Sequence, residues 1–188
     1  MKNVVVISSS LRNGSNSEIL AKEFIRGASI KHNVEYISLK DINLKFCLGC
    51  LSCQKTGKCV INDDVRQYLE KISNADILVF ATPIYYYSMS GQLKTFLDRL
   101  NPMYVKHNNF KEIYLLASCA DDRTYAIDKT IIALNGWIEC FDGVELKETL
   151  LATSVTEPNT LTEEFKNKAY SLGKSYKDIL KIYYQAVK

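Results

Sequence analysis

Three short runs in this chain, Val4 to Ile7, Ile77 to Ala81 and Ile113 to Ala117, are apolar or aromatic at every position. A strand with one solvated face alternates apolar and polar residues, so unbroken runs of this length suit strands buried on both faces. Between them, apolar residues return at helical spacing. Ile19, Leu20, Phe24 and Ile25 make one stripe, opened by Ser15 and Glu18 in a capping-box pattern. Val65, Tyr68, Leu69 and Ile72 make another, with Asn62-Asp63-Asp64 as its cap. Leu93, Phe96, Leu97 and Leu100 fall on one face of a helix starting near Gly91, and Ile127, Ile131, Leu134 and Ile138 on a fourth.

Val34 to Leu39 reads as a second strand, and the more polar Val144 to Leu151 suits a sheet edge. Thr82-Pro83 is expected to end the third strand, because proline lacks the N–H that a ladder needs. Thr160 with Glu163 opens a last helix carrying Phe165, Ala169, Leu172, Tyr176, Ile179 and Tyr183. Five strands alternating with five helices predict an α/β three-layer sandwich, a five-stranded parallel sheet with right-handed crossovers. The order 2-1-3-4-5 places a ligand crevice at the carboxyl ends of strands 1, 3 and 4. At 188 residues the expectation is a single domain, 1–188, with a Cys-rich loop, 45–61, inserted after strand 2.

The net charge of +3 is spread along the chain, with no basic run interleaved with aromatics, so no nucleic-acid partner is expected. The first apolar run stops at Ser8, too short for a secretion signal, and no stretch has membrane-spanning length. The expected compartment is therefore cytoplasmic, with no membrane partner. In that setting six cysteines, four of them between Cys47 and Cys59, point to metal or redox chemistry rather than a disulfide framework. Cys119 and Cys140 read as small packing residues.

Three loops converge on the expected crevice. Ser8 to Ser17 carries short hydroxyl and amide side chains, one glycine and Arg12 into a helix N-terminus, where an anion is favoured. It holds neither Gly-Lys-Ser/Thr nor the dinucleotide pattern G-x-G-x-x-G, and its plainer reading is a polar turn with a cap. Thr82 to Gly91 offers Tyr85, Tyr86 and Tyr87 to a flat heteroaromatic ligand, or to a subunit interface. Ser118-Cys119-Ala120 is small enough for close ligand approach.

Cys47, Cys50, Cys53 and Cys59 read C-x2-C-x2-C-x5-C. Three compactly spaced thiolates and a fourth beyond a glycine-containing turn can meet the corners of a cubane cluster. The bacterial ferredoxin motif has x3 and a following proline, where this chain has x5 and Val60. Zinc takes the same four thiolates, and metal-free thiols are a third reading.

Ser10-Leu11-Arg12 with Ser15-Asn16-Ser17, followed by Thr82 to Arg99, resembles the NADPH-dependent FMN reductase family, and the cysteine pattern resembles its iron–sulfur flavoprotein branch. The resemblance runs to about Leu151 and implies a flavodoxin-like fold. It implies FMN phosphate binding by Ser10, Arg12, Ser15, Asn16 and Ser17, and isoalloxazine binding by Pro83, Ile84, Tyr85, Tyr86, Ser88 and Met89, with Ser118 and Cys119 at the same crevice. Many members have Gly-Ser-Pro where this chain has Ser9-Ser10-Leu11; a small hydroxyl is retained. A [4Fe–4S] cluster on Cys47, Cys50, Cys53 and Cys59 is implied for the branch.

The expected function is an FMN-dependent oxidoreductase. Electrons come from NAD(P)H or a reduced ferredoxin-like protein and pass to a small acceptor such as a quinone. Hydride transfer to flavin needs a stacked donor rather than a strong acid or base, in keeping with a chain whose two histidines, His32 and His107, lie in no catalytic context. A non-catalytic flavodoxin-like carrier and a structural-zinc binding module are the alternatives. A homodimer or homotetramer is expected, since a monomer would expose the tyrosine-rich loop.

Overall fold

In the computed structural model, which describes residues 1–175, the three unbroken runs lie side by side at the middle of one sheet. They form β1 (Asn3–Ser8), β3 (Ile77–Tyr85) and β5 (Glu112–Ser118). The outer strands are β2 (Asn33–Ser38) and β6 (Glu145–Ala152), and all four pairings are parallel. The order β2-β1-β3-β5-β6 is the expected 2-1-3-4-5 of the five parallel strands. A two-residue strand, β4 (Ser88–Met89), folds back antiparallel on Ile84 and Tyr85.

Alternation along the central strands feeds two separate cores. Val4, Val6, Ile77, Val79 and Leu116 face α1 (Asn16–Ala28) and α6 (Glu163–Ser175), meeting Leu20, Phe24, Ala169 and Leu172. Val5, Ile7, Leu78, Phe80 and Leu115 face the other way, toward α3 (Val65–Ser73), α4 (Gly91–Arg99) and α5 (Asp128–Ile138). That layer is filled by Ile72, Leu93, Phe96, Leu134 and Ile138. Both faces of the sheet are thus covered, which is why Val4 to Ile7, Ile77 to Ala81 and Ile113 to Ala117, within its middle strands, are apolar or aromatic throughout. On the first face α1 and α6 cross closely enough that a Cβ on Gly27 would lie 2.1 Å from the Tyr170 carbonyl oxygen, and one on Gly173 2.1 Å from that of Phe24.

Several local expectations need correction. β3 does not stop at Thr82-Pro83; Thr82 pairs with Ala117 and Pro83 with Ser118. The last β1 pairing is Ser8 with Ala81, so one flank of β3 has lost its neighbour there and a missing N–H costs little. Asp64 precedes α3 but makes no side-chain cap bond; its carboxylate accepts from the Asn43 N–H at 2.6 Å. Asp63 pairs with Arg99 and also meets the Val65 N–H at the start of α3. The Cys-rich segment is not wholly loop, since Ser52–Thr56 forms a short helix, α2. Cys119 is buried but Cys140 is exposed. Tyr176, Ile179 and Tyr183 of the last helical stripe lie outside the described residues. Among the described residues no helix is long and apolar enough to cross a membrane.

Candidate functional site

At the carboxyl ends of β1, β3, β5 and β6 lies an open cleft of about 140 Å³. Ser10, Arg12, Ser15 and Asn16 line one end. Here the chain leaves β1 and enters α1, whose cap Ser15 accepts from the Glu18 N–H at 3.2 Å. The first helical bond is Ile19 N–H to Ser15 O, so the N–H groups of Asn16 and Ser17 precede the ladder, as at any helix start. Ser10 is buried and its hydroxyl accepts from the Arg12 N–H at 3.3 Å. Ser17 does not line the cleft; it is fully buried, with its hydroxyl 3.5 Å from that of Ser15.

Pro83, Ile84 and Tyr85 line the opposite side, along the extension of β3. Tyr86 and Tyr87 form the two-residue turn into β4, both with left-handed backbone at φ 49° and 62°. That conformation points Tyr86 wholly into solvent, away from the cleft lining, while Ser88 pairs back to Tyr85 and Met89 is buried in the core. Tyr87 is fastened instead: its hydroxyl donates to Asp121 at 2.7 Å, and Arg123 donates to both of them. Arg123, and next the Tyr87 hydroxyl, hold the Asp121 carboxyl well below the usual carboxylate range. Ser118 and Cys119 line the floor. The Cys119 sulfur donates to the Asp121 carbonyl at 3.2 Å, and burial pushes its thiol up.

A buried hydroxyl relay joins these loops. Ser9 donates through its N–H and its hydroxyl to the Ala81 carbonyl, at 2.9 and 3.1 Å. Ser90 Oγ donates to Ser9 Oγ at 2.9 Å and, as the cap of α4, accepts from the Leu93 N–H. The Ser90 N–H donates to Thr82 Oγ1 at 3.1 Å. The spacing of the two ends of the cleft is therefore set from below by side chains that do not line it.

The sequence reading missed a fourth loop. Val155, Thr156 and Pro158, after β6, close the cleft over Arg12 and Asn16. Asn16 holds this strap with both ends of its amide: Nδ2 donates to the Glu157 carbonyl at 2.9 Å, and Oδ1 accepts from the Thr160 N–H at 3.1 Å. Arg12 Nη1 donates to the Thr156 carbonyl at 3.0 Å. Asn16 lines the cleft yet has both ends of its amide bonded to the strap, and Thr160 serves the strap rather than capping α6. The turn signal Glu157-Pro158-Asn159 was visible in the sequence, but nothing local says which loop it meets.

The profile of the NADPH-dependent FMN reductase family matches residues 2–130. The chain belongs to this family. An iron–sulfur flavoprotein of Methanocaldococcus jannaschii is 38% identical over 101 residues, 53% of this chain and 52% of its relative. One from Methanosarcina thermophila is 28% identical over 138 residues, 70% of each chain. The chain spans about half the length of several curated relatives that it matches. A NAD(P)H:quinone oxidoreductase from Methanothermobacter marburgensis shares the fold, with a TM-score of 0.73, 19% identity, and coverage of 94% of this chain and 96% of that one. As in other FMN reductase family members, the fold is flavodoxin-like. The cleft fits FMN in outline, with hydroxyls and helix N–H groups at one end for a phosphate and an apolar strand edge at the other for a ring.

The cysteine segment lies apart, with Cys59 against Arg99 of α4 and Cys53 against Asn101. Cys53 is buried and Cys59 half-buried, while Cys47 and Cys50 are exposed, and all four are free thiols. Asn101 Nδ2 donates to Cys53 Sγ at 3.2 Å and Arg99 Nη2 to Cys59 Sγ at 3.5 Å. Among the described residues no three His, Cys, Asp or Glu side chains stand close enough to hold a metal ion. The four sulfurs are soft donors, but in this arrangement they are not gathered into one site. One further N–H there, that of Arg99 Nε, is buried with no acceptor.

Proposed function

We propose that this chain is a cytoplasmic FMN-dependent oxidoreductase, one flavin-binding unit over residues 1–188. Its electrons come from NAD(P)H or a ferredoxin-like protein and go to a small acceptor such as a quinone. The observation that carries this reading is the convergence of an anion-suited helix start and an apolar, aromatic strand edge on one cleft, cross-braced by Ser9, Thr82 and Ser90.

In this reading Ser10, Ser15 and the first N–H groups of α1 hold the FMN phosphate, and Arg12 adds a positive charge beside it. Pro83, Ile84 and Tyr85 bound the ring. Ser17, Ser88 and Met89 shape these loops from beneath, and Asn16 holds the strap. Bound FMN supplies hydride acceptance and one- or two-electron release. The protein's own contribution is placement of the ring and exclusion of water, and neither histidine is asked for a proton. His32 Nδ1 accepts from the Lys2 N–H, and the His107 carbonyl accepts from Ser73. Brought together, Cys47, Cys50, Cys53 and Cys59 would hold a [4Fe–4S] cluster, whose chemistry is one-electron exchange. Phe46, Leu48, Leu51 and Val60, all exposed on this segment, are apolar surface that a homodimer or homotetramer would cover.

Protein purified without oxygen is assayed for FMN, iron, sulfide and zinc, then for NAD(P)H oxidation with a quinone. Flavin binding with turnover is expected. Flavin binding without turnover on any donor identifies a carrier instead, and failure to bind FMN on titration overturns the proposal. Zinc in place of iron returns the cysteines to a structural role.

A further inference from the structure

The strap after β6 and the loop that leads into α1 are joined along the phosphate end of the cleft. The Asn159 N–H donates to the Gly14 carbonyl at 2.9 Å, and the two residues pack so closely that a Cβ on Gly14 would lie 2.6 Å from Asn159 Oδ1. Arg12 holds the Thr156 carbonyl, and Asn16 holds the Glu157 carbonyl and the Thr160 N–H. The Thr160 hydroxyl closes the turn from within, donating to the Glu157 carbonyl at 2.7 Å. At its start the strap is fixed to the floor loop: the Val155 N–H donates to the Cys119 carbonyl at 2.9 Å and the Ser154 N–H to the Asp121 carbonyl at 3.0 Å.

This end of the cleft is therefore walled, with Val155, Thr156 and Pro158 in its lining. Glu157, the one charged residue between Ser154 and Thr160, is exposed outside that lining, with its carboxylate 3.6 Å from Arg12 Nη2. A phosphate monoester ends at its own oxygens, which hydroxyls and helix N–H groups can cap. A phosphodiester has to continue outward past Arg12, where the strap stands in its way and a carboxylate faces any second phosphate.

We infer that the strap sets the flavin specificity of the cleft, admitting a terminal phosphate monoester and rejecting a flavin whose phosphate carries a further nucleotide. Glu157 is the specificity-determining side chain, and Asn16 is the positioning residue that holds the strap in place. This rests on the reading of the cleft as an FMN site. Binding alone is concerned, and no bond is made or broken.

The test is calorimetric titration of the full chain with riboflavin, FMN and FAD, for wild type, E157Q and N16A. Wild type is expected to bind FMN about 100-fold more tightly than either of the others, the phosphate contacts separating it from riboflavin and the strap from FAD. E157Q should bind FAD about tenfold more tightly than wild type does, with FMN changed far less. N16A, which loosens the strap, should weaken FMN but not FAD, so the preference between them falls about tenfold. Wild type that binds FAD as tightly as FMN, or variants that shift both flavins equally, overturn the inference and leave the flavin reading standing. Wild type that binds none of the three overturns both. Because Glu157 is exposed, E157Q decides the matter alone if N16A does not fold.

Discussion

The Arg99 guanidinium meets the Asp63 carboxylate with both terminal nitrogens, and neither side chain reaches solvent, at 1% and 0% exposure. The pair pins both ends of the cysteine segment: Arg99 also holds the Lys45 carbonyl before it, and the Lys45 N–H donates to Asp63 at 3.0 Å. Burial works to raise the Asp63 carboxyl, but Arg99 and the neighbouring backbone N–H groups outweigh it and hold it below the ordinary value.

Removing one partner leaves the other charge buried. Asp63→Asn should therefore cost about 3–5 kcal/mol near neutral pH, roughly 10 °C in Tm for a chain of this size. With a lowered folded pKa, the Asp63 contribution is complete above its unfolded value near pH ~4 and fades as pH falls through the lower folded value. Urea unfolding of wild type and D63N from about pH 6 to about pH 2 should show the gap narrowing with acid. A gap independent of pH would mean that the charge on Asp63 contributes nothing.

The strap makes a different prediction. Asn16→Ala leaves the Thr160 N–H without its side-chain acceptor and the Glu157 carbonyl with the Thr160 hydroxyl alone, without touching a cleft hydroxyl. FMN should then dissociate faster, with Kd raised about tenfold, near the worth of one or two hydrogen bonds. Arg12→Ala removes a charge beside the same end of the cleft, so its loss should shrink as salt is added, whereas that of N16A should not. Flavin fluorescence titration at two ionic strengths separates them.

The five parallel strands and both helical layers were legible because continuous apolar runs and 3.6-residue stripes are local signals of burial. What was not legible is long-range. Pro83 looked like a terminator, since sequence does not reveal that β1 ends at Ser8 and leaves that flank of β3 free. Asp63 and Asp64 looked like caps, yet Asp64 turns to the Asn43 N–H, and Asp63 is shared between the Val65 N–H at the start of α3 and Arg99, 36 residues later. Asn16 belongs to a phosphate-loop motif by type and to the strap by contact, 144 residues away.

Gly27 and Gly136 are both helical, and their surroundings set opposite outcomes for alanine. A Cβ on Gly27 would meet the Tyr170 backbone at 2.1 Å, and neither helix can yield without unpacking α1 from α6. Gly27→Ala should cost about 1–3 kcal/mol or more. Gly136, in α5, has nothing beyond its own stretch of helix within 4 Å of its Cβ position. Gly136→Ala should gain about 0.5–1 kcal/mol, from a less mobile unfolded chain. Thermal unfolding of the two variants checks the opposite signs.

Tyr86 occupies a left-handed turn position that glycine or asparagine would fill without strain, and it buries nothing there. Its neighbour Tyr87 shares that conformation but is anchored through Asp121 and Arg123. Tyr86→Gly should therefore stabilise the fold by about 1 kcal/mol, whereas Tyr87→Phe, which cuts the anchor, should destabilise it. Strain kept at an exposed aromatic beside the cleft mouth is understandable if the ring meets the acceptor. Y86G should then raise the KM for a quinone while FMN affinity stays at the wild-type value. Equal KM values would show that Tyr86 takes no part in acceptor binding by the single chain and would leave its ring to a subunit contact, which light scattering of Y86G against wild type would reveal as a lower mass.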